Sequence, residues 1–324
     1  MKAVVFERYG SPDVLSLREI ERPVPKVGEI LVKIRAAGVN PQDWHCMRGE
    51  PLLPRLFVGG LLRPGHPILG SDVAGTVEAI GADVRAFAPG DDVFGMSFKH
   101  GAFAEYGVFP AYGVISRKPE SLSFEEAAAA PMAGMMALMG LRDQAKIQTG
   151  DKILINGASG GIGTCAIQIA KALEANVTGV CSAPNLELVK SLGADRVIDY
   201  TQADFTAEDV QYDAIFDVVA KQTYADCRRV LGAKSVYVTT KVSVGLLLQS
   251  LWTAMTGGRR LKPMLQKPTL VDLETLRELI DAGKLRPVID RRYPLAQVPA
   301  AISYVERGHA RGKVVIDVER GSEE

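Results

Sequence analysis

Three neighbouring glycines give the clearest chemical signal in the chain. In the segment ILINGASGGIGTCAIQIAKAL, an apolar run turns through Gly160, Gly161 and Gly163 directly into a helical pattern. Backbone N–H groups at such a turn can approach a pyrophosphate closely, and the partial positive charge of the helix N-terminus favours the anion. The sequence therefore predicts a dinucleotide site, to which Ser159 and Ile162 of the same turn also belong.

The next apolar run indicates which dinucleotide binds. It ends at Cys181 and Ser182, where an adenosine ribose would lie. A small polar residue there leaves room for a 2′-phosphate, whereas an acidic residue would accept the ribose hydroxyls of NAD. NADPH is therefore predicted over NADH, although no Arg or Lys lies between Ser182 and Asn185. The helix residues Lys171 and Lys190 are the nearest candidates for a phosphate-binding cation.

The same glycines also fit a different class of dehydrogenase. Gly157, Gly161 and Gly163 match the short-chain pattern GxxxGxG, and Tyr237 and Lys241 form a YxxxK motif downstream. A catalytic Tyr–Lys pair must lie one helical turn apart, but YVTTK is a β-branched run that predicts a strand. In a strand the two residues would be separated by roughly 13 Å. We therefore disfavour the short-chain reading, also because a whole domain's length precedes the glycines.

Two regions with different patterns of apolar residues must position these side chains. Residues 1–119 contain short alternating runs broken by Gly and Pro, which predicts a β-rich domain. Over 120–268, apolar runs alternate with helical periods, which predicts an α/β domain with a doubly wound parallel sheet. A long helix capped by Ser123 should begin this second domain. The last strand, KVVIDV, is expected to return with 269–324 to the first domain.

Composition limits the partners and the compartment. The 324 residues include 38 Lys+Arg and 38 Asp+Glu, so no long-range field attracts nucleic acid, which is not an expected partner. The 4 cysteines are widely spaced and form no CxxC pair, which favours a reducing, cytoplasmic location. Glu7 and Arg8 interrupt the first apolar run too early for a signal peptide.

One uncharged stretch, 242–258, falls short of the roughly 20 apolar residues that a membrane span needs. No membrane span is therefore predicted. The stretch instead favours a packed or dimer-contact helix, with an apolar face for a partner or a membrane as the alternative.

Several motifs together resemble the medium-chain dehydrogenase/reductase superfamily over nearly the whole chain. They are GVNPQDW from Gly38, GSDVAGTV from Gly70, GAFAEY from Gly101, AAAAPMAG from Ala127 and GHARGKVVI from Gly308. The resemblance implies a Rossmann domain over 120–268 and a GroES-like domain formed by 1–119 with 269–324.

The resemblance also locates the catalytic zinc positions of alcohol dehydrogenases. They correspond here to Asn40, to Ser71 with Asp72, and to Met132, a set that is unsuited to holding zinc. No metal is therefore expected. Together with Asn40 in GVNPQD, this is similar to the zinc-independent quinone oxidoreductase branch, whose members reduce quinones or conjugated carbonyl compounds with NADPH. Such acceptors need little carbonyl activation, because conjugation delocalises the developing negative charge.

Individual roles follow from the resemblance. Asn40 would lie beside the nicotinamide and donate its amide N–H to a developing oxyanion, as the one candidate catalytic residue. Asp43, Trp44 and His45 would follow on the same loop and shape the substrate cleft. Further cofactor contacts are implied at Tyr200, Val218, Val219, Thr239, Arg311 and Lys313.

The resemblance further implies a homo-oligomer, such as a homodimer. The overall expectation is a cytoplasmic NADPH-dependent reductase of a small-molecule quinone or α,β-unsaturated carbonyl. Two alternatives stay open: a catalytically weak dinucleotide-binding sensor or partner-binding protein, and a zinc-free alcohol or enoyl reductase variant.

Overall fold

The computed structural model describes residues 1–50, 60–99 and 101–320. The strands in these ranges are β1 (Lys2–Val5), β2 (Ser16–Glu19), β3 (Glu29–Val39), β4 (Asp72–Ile80), β5 (Asp92–Met96), β6 (Tyr106–Pro110), β7 (Val114–Arg117), β8 (Lys152–Asn156), β9 (Asn176–Cys181), β10 (Arg196–Asp199), β11 (Tyr212–Asp217), β12 (Leu231–Thr239), β13 (Arg260–Pro263), β14 (Ile289–Pro294) and β15 (Lys313–Asp317). The α-helices are α1 (Pro41–Arg48), α2 (Phe124–Ala129), α3 (Pro131–Leu138), α4 (Gly161–Ala172), α5 (Leu186–Ser191), α6 (Tyr224–Cys227), α7 (Val244–Thr256), α8 (Leu270–Asp281) and α9 (Val298–Glu306).

The chain forms two compact units. Unit 1 comprises Met1–Met132, Thr269–Asp281 and Arg286–Glu324, and unit 2 comprises Ala133–Pro268 and Ala282–Leu285.

Residues 120–132 therefore belong to unit 1, whereas the sequence analysis assigned them to the second domain. The reason is close packing of α2 on β3, β4 and β15. A Cβ atom at Gly38 of β3 would lie 2.5 Å from the carbonyl oxygen of Ala128, so only glycine lets the helix approach this strand. The predicted cap is confirmed, because the Ser123 hydroxyl accepts a hydrogen bond from the Glu126 N–H. Pro131 lacks an N–H and divides the predicted long helix into α2 and α3.

Unit 1 is built on a largely antiparallel sheet with the order β14-β15-β3-β4-β5-β7, and β6 also pairs with β3. Strand β3 lies in its core: Ile30, Leu31, Val32 and Ile34 are buried, while Lys33 is exposed. The final strand β15 pairs antiparallel with β3, which confirms that the C-terminal segment returns to the first domain.

Unit 2 contains a parallel sheet with the order β10-β9-β8-β11-β12-β13. This order confirms the predicted doubly wound sheet. Its direction of winding reverses between β8 and β11, and ligands of such sheets bind at the carboxyl ends of the strands beside that point.

The parallel sheet of unit 2 includes the edge strand β13, which follows the uncharged stretch 242–258 and was not predicted from the sequence. Strand β11 ends at Asp217, so Val218 and Val219 lie in the turn that follows.

The uncharged stretch after β12 forms the surface helix α7. None of the helices in the described ranges combines the length and the apolar character that crossing a bilayer would require.

Candidate functional site

The predicted glycine turn lies between β8 and α4, at the winding reversal of the unit 2 sheet. Gly157 has a φ of +88°, a left-handed conformation that favours glycine. Gly160 is the N-cap of α4, and its N–H donates to the Gly157 carbonyl over 3.1 Å. A Cβ at Gly163 would lie only 2.1 Å from the Gly157 oxygen, so the helix can follow the strand this closely only with glycine there.

This glycine turn fits the pyrophosphate of a dinucleotide. The first-turn N–H groups of Gly161, Ile162 and Gly163 have no acceptor within α4, because the helix begins at Gly161. They lie at the positive end of a 12-residue helix. Gly160 has no side chain and its Cβ position is nearly open, with only the Gly157 oxygen at 3.5 Å, so a phosphate can approach the backbone there.

A polar group lies next to the turn, where β9 ends. The Asn185 amide nitrogen donates to the hydroxyls of Ser159 and Ser182 over 3.2 and 3.1 Å. Its Oδ1 is buried and has no hydrogen-bond partner among the described residues. A buried acceptor without a donor is costly, and a ribose hydroxyl is the kind of donor that would satisfy it. Cys181, the last residue of β9, is buried, and its burial raises the pKa of the thiol to about 11.

Tyr200 and two nearby lysines are the side chains considered as ligands of a 2′-phosphate. Tyr200 follows β10, donates its N–H to the Cys181 carbonyl over 3.1 Å, and leaves 55% of its surface exposed. The Lys171 ammonium lies 3.0 and 2.9 Å from the two carboxylate oxygens of Asp195. Lys171 therefore forms an ion pair with Asp195, and we no longer expect it to bind the phosphate. Lys190 is exposed on α5.

The turn after β11 is held by a buried carboxylate that the sequence analysis missed. Asp217 Oδ1 accepts hydrogen bonds from the Asn156 amide at 2.9 Å and from the N–H groups of Val219 and Ala220 at 3.1 and 2.8 Å. Ala220 consequently adopts a left-handed φ of +55°. Asn156 and Asp217 are paired across β8 and β11, and each directly follows a run of three apolar residues, which was the available signal. Thr239 ends β12 beside Asp217.

The two valines predicted as cofactor contacts lie against the glycine turn. A Cβ at Gly157 would come within 2.5 Å of Val219 Cγ2 and 2.9 Å of Val218 Cγ2. The structure thus gathers these valines, the glycines and Thr239 at one edge of the unit 2 sheet. This edge is the one where a nicotinamide is expected in a doubly wound fold.

The short-chain alternative fails on geometry. Tyr237 is a residue of strand β12, and its hydroxyl donates to Asp217 Oδ2 over 2.6 Å. Burial, and then the charge of Asp217, raise the pKa of this phenol far above its usual value. Lys241 is exposed and lies beyond the end of the strand. Tyr237 is therefore a structural donor rather than a member of a Tyr–Lys pair.

In unit 1, the residues predicted to follow Asn40 on a loop form a helix instead. Asn40 is the N-cap of α1, which contains Asp43, Trp44 and His45. Pro41 at the first helical position favours this start, because its fixed φ suits a helix and its missing N–H would be unsatisfied there anyway. The Asp43 carboxylate accepts the Asn40 N–H at 2.8 Å and is fully buried. Trp44 and His45 are half-buried, with stacked rings whose centroids lie 3.5 Å apart.

The Asn40 amide is held on all sides by buried polar groups. Its Nδ2 donates to Asp72 Oδ2 over 3.0 Å and to Ser71 Oγ over 3.3 Å, while its Oδ1 accepts from the Lys313 ammonium. Both amide protons thus already have protein acceptors. Donation to a substrate would require the longer bond, to Ser71, to give way.

Lys313 is buried, with 5% of its surface exposed, and its ammonium has three acceptors. Besides Asn40, it donates to the Val39 carbonyl over 3.2 Å and to Asp72 Oδ2 over 3.1 Å. An ammonium carries three protons, so none remains for a phosphate. The expected cofactor contact of Lys313 is therefore corrected to a role in positioning Asn40. Arg311 is exposed and donates its backbone N–H to Asp290 over 3.0 Å.

These unit 1 residues form what we call the Asn40 cluster: Asn40, Asp43, Ser71, Asp72 and Lys313. It contains two buried carboxyl groups, and the pKa of Asp43 is raised to about 7. Burial is the main cause, followed among the raising effects by the charge of Asp72.

The positions that bind zinc in alcohol dehydrogenases have other partners here. The Met132 N–H donates to Asp72 Oδ1 over 3.1 Å, so this position contributes its backbone. Across residues 1–50, 60–99 and 101–320, no three His, Cys, Asp or Glu side chains are grouped as metal ligands.

Together, the glycine turn on a doubly wound sheet and the separate β unit define a nucleotide-dependent dehydrogenase or reductase with two domains. The family models agree with this class. A model described as "Alcohol dehydrogenase GroES-like domain" matches residues 26–120, and one described as "Zinc-binding dehydrogenase" matches residues 192–316.

Full-length similarities define the branch. The chain is 37% identical to the human "NAD(P)H oxidoreductase RTN4IP1, mitochondrial", over 98% of this chain and 89% of that protein. It is 36% identical to "Quinone-oxidoreductase QR1, chloroplastic" of Triphysaria versicolor, over 98% of both chains. The quinone oxidoreductase from Coxiella burnetii superposes with a TM-score of 0.88 at 32% identity, covering 98% of this chain and 99% of the other.

The NADPH complex of the Escherichia coli quinone oxidoreductase superposes with a TM-score of 0.83 at 25% identity, covering 98% and 100% of the two chains. The chain belongs to the medium-chain dehydrogenase/reductase superfamily, in its quinone-oxidoreductase-like branch. The resemblance inferred from the sequence motifs is thereby confirmed.

Proposed function

We propose that this protein is an NADPH-dependent reductase that passes a hydride to a quinone or an α,β-unsaturated carbonyl compound. The observation that carries the proposal is the glycine turn at the winding reversal of unit 2, where Gly163 lets the helix pack closely on the turn and the first N–H groups of α4 have no acceptor within the helix. The names of the relatives given above, NAD(P)H oxidoreductases and quinone oxidoreductases, support the same reaction class.

NADPH, the cofactor of this proposal, supplies a hydride to the acceptor carbon or to the quinone. The acceptor gains two electrons with that hydride and one proton from water, so that a quinone becomes a hydroquinone and an enone a saturated ketone. The chain's own task is to bind the pyrophosphate at Gly161–Gly163 and to fix the turn after β11 through Asp217. We propose that Asn40 then orients the acceptor oxygen by donating to it the amide proton that it donates to Ser71 Oγ in this structure.

We propose a preference for NADPH over NADH. Ser182 leaves room after β9, and Tyr200 offers an exposed phenol beside it. Replacing Ser182 by Asp places a carboxylate where the 2′-phosphate would lie. The KM for NADPH should rise at least about tenfold through charge repulsion, while the KM for NADH does not rise. Ser191→Asp, on an exposed position of α5, is the matched charge control. An equal effect on both cofactors would contradict the preference.

We propose that the reaction needs no zinc. The ammonium of Lys313 lies 3.1 Å from Asp72 Oδ2 and also binds Asn40, so a fixed positive charge already occupies the ligand set. A divalent cation at these atoms would meet direct repulsion from the ammonium. The support thus comes from the charge and the donor types of the residues present.

The activity test separates this proposal from the two alternatives. The purified protein is mixed with NADPH and a panel of quinones, enones and acyl-thioester enoyl substrates, or with NADP+ and alcohols, each with and without a chelator. Oxidation of NADPH by quinones or simple enones, unchanged by the chelator, supports the proposal. Tight NADPH binding without turnover would identify a sensor or partner-binding protein. Turnover confined to alcohols or enoyl thioesters would identify the third candidate.

For the cellular location, the cysteines indicate only the redox state of the compartment. No disulfide links the four cysteines, all of which are buried in described parts of the chain, which supports a reducing compartment such as the cytoplasm. Relatives are described as mitochondrial or chloroplastic, so the compartment needs a direct test by localisation of the tagged full chain. A homo-oligomer remains a prediction for light scattering of the purified protein.

A further inference from the structure

Helix α7 presents an apolar stripe to solvent. Five exposed side chains form it, which we call the α7 face: Val244, Leu248, Leu251, Trp252 and Met255. At 3.6 residues per turn, these positions fall within a sector of about 100°. Trp252 is 67% exposed and Met255 is 84% exposed, so the stripe contains large side chains with little cover. Exposed apolar surface of this kind usually marks an interaction site.

The opposite side of α7 is hydrogen-bonded to the edge strand of the unit 2 sheet, and these bonds keep the α7 face directed towards solvent. The Ser250 hydroxyl donates to the Leu261 carbonyl over 2.8 Å, and the Leu261 N–H donates to Thr253 Oγ1 over 3.1 Å. Leu246 packs against the apolar core of the unit. The helix therefore covers the edge strand β13 with its polar side and leaves its most apolar side outside.

The sequence around α7 is strongly basic. Between Asp226 and Asp272 there is no acidic residue, and the basic residues are Arg228, Arg229, Lys234, Lys241, Arg259, Arg260, Lys262 and Lys267. The chain as a whole has a formal net charge of +0, so the rest of the sequence carries a matching acidic excess. Lys241 and Arg260 are exposed close to the two ends of α7. Basic residues thus flank the uncharged helix α7 on both sides in the sequence.

We propose that the α7 face docks on an anionic lipid bilayer, with the helix lying in the plane of the membrane–water interface. Trp and Leu side chains enter the headgroup region, and the flanking lysines and arginines meet lipid phosphates. A second copy of the chain fits less well, because a two-fold contact would bring the same basic patch against itself. The docking does not depend on the proposed reaction, since none of these residues belongs to the glycine turn or the Asn40 cluster.

Vesicle flotation tests this docking in the absence of cofactor and substrate. The full chain is mixed with vesicles of phosphatidylcholine alone, or with roughly one quarter phosphatidylglycerol. We expect binding to the anionic vesicles that weakens with added salt. The double variant L251S/W252S should bind them at least about tenfold more weakly, because two anchors no longer bury apolar surface. K241Q/R260Q should lose affinity for the anionic vesicles.

The control V24S/L62S removes two apolar side chains of unit 1 that are more exposed than Leu251 and Trp252, and it should bind like the wild type. Circular dichroism of each variant verifies that it is folded. The proposal is overturned if the wild type does not float with anionic vesicles, or if L251S/W252S binds them as well as the control. It is also overturned if L251S/W252S dissociates a dimer without changing vesicle binding, because the α7 face would then be covered by a second copy.

Discussion

Removing the buried ammonium of Lys313 tests the Asn40 cluster most severely. In K313M, a chain of similar length replaces the lysine, but Asp72 loses its only cationic partner among the described residues. The Asp72 side chain is completely buried, so its carboxylate would be left without a compensating charge. Breaking one side of a buried ion pair typically costs about 3–5 kcal/mol. For a unit of this size we therefore expect the melting temperature to fall by roughly 6–20 °C.

The second variant tests the cause of this loss. K313M/D72N replaces the uncompensated carboxylate by a neutral amide, so about half of the lost stability or more should return. Lys33→Met, at an exposed position of β3 in the same unit, is the control and should shift the melting temperature by no more than about 2 °C. Scanning calorimetry of all four proteins gives the comparison.

Two results would refute the reasoning on Lys313. One is a K313M protein that melts within about 2 °C of the wild type, since the ion pair would then have no structural role. The other is a double variant no more stable than K313M. Titration calorimetry with NADPH below the melting range adds an independent readout: K313M should keep the wild-type Kd. A large loss of affinity would restore Lys313 as a phosphate contact.

Three further variants test other parts of the structure. Gly163→Ala places a Cβ 2.1 Å from a backbone carbonyl oxygen, so the Kd for NADPH should rise at least about tenfold. The control Gly245→Ala has open space around the new Cβ and should leave this Kd unchanged. Equal Kd values for the two variants would contradict the role of the glycine turn. Ala220→Gly relieves a left-handed φ and should stabilise the protein by about 1 kcal/mol in calorimetry, while a loss of stability would show that the conformation is not strained. Burial raises the folded-state pKa of Asp43 to about 7, so the folded protein retains a proton that the unfolded chain releases, and this contribution to stability falls as the pH rises from about 4 to 7. Urea unfolding of the wild type and D43N across this range should show a steeper decline for the wild type, and parallel profiles would contradict it.

The glycine turn could be predicted from sequence because every part of it is local. A buried strand, a glycine at each close approach and an apolar helix follow one another within the segment 152–172. Lys313 shows the opposite case. Its partners Asn40 and Asp72 are 273 and 241 positions away in the chain, and only the pairing of β15 with β3 brings them together.

Helix α1 and Asp217 show two further reasons for incomplete prediction. The segment after Asn40 was expected to be a loop from the family resemblance, although Pro41 is a favourable first helical residue. Asp217 was hidden at the end of an apolar strand, and its four hydrogen bonds depend on turns and strands that are assembled only in the folded sheet. Local pattern thus predicted the glycine turn, while the polar contacts of Lys313 and Asp217 required tertiary structure.

Loss of the nicotinamide absorbance of NADPH in a single turnover is the most direct test of the proposed reaction. The chelator-treated protein, with its zinc content measured by elemental analysis, is mixed anaerobically with NADPH and a quinone. We expect stoichiometric NADPH oxidation and hydroquinone formation at a rate equal to that of the untreated protein. Absence of NADPH oxidation with every quinone and enone, or a rate that returns only when zinc is restored, would contradict the account.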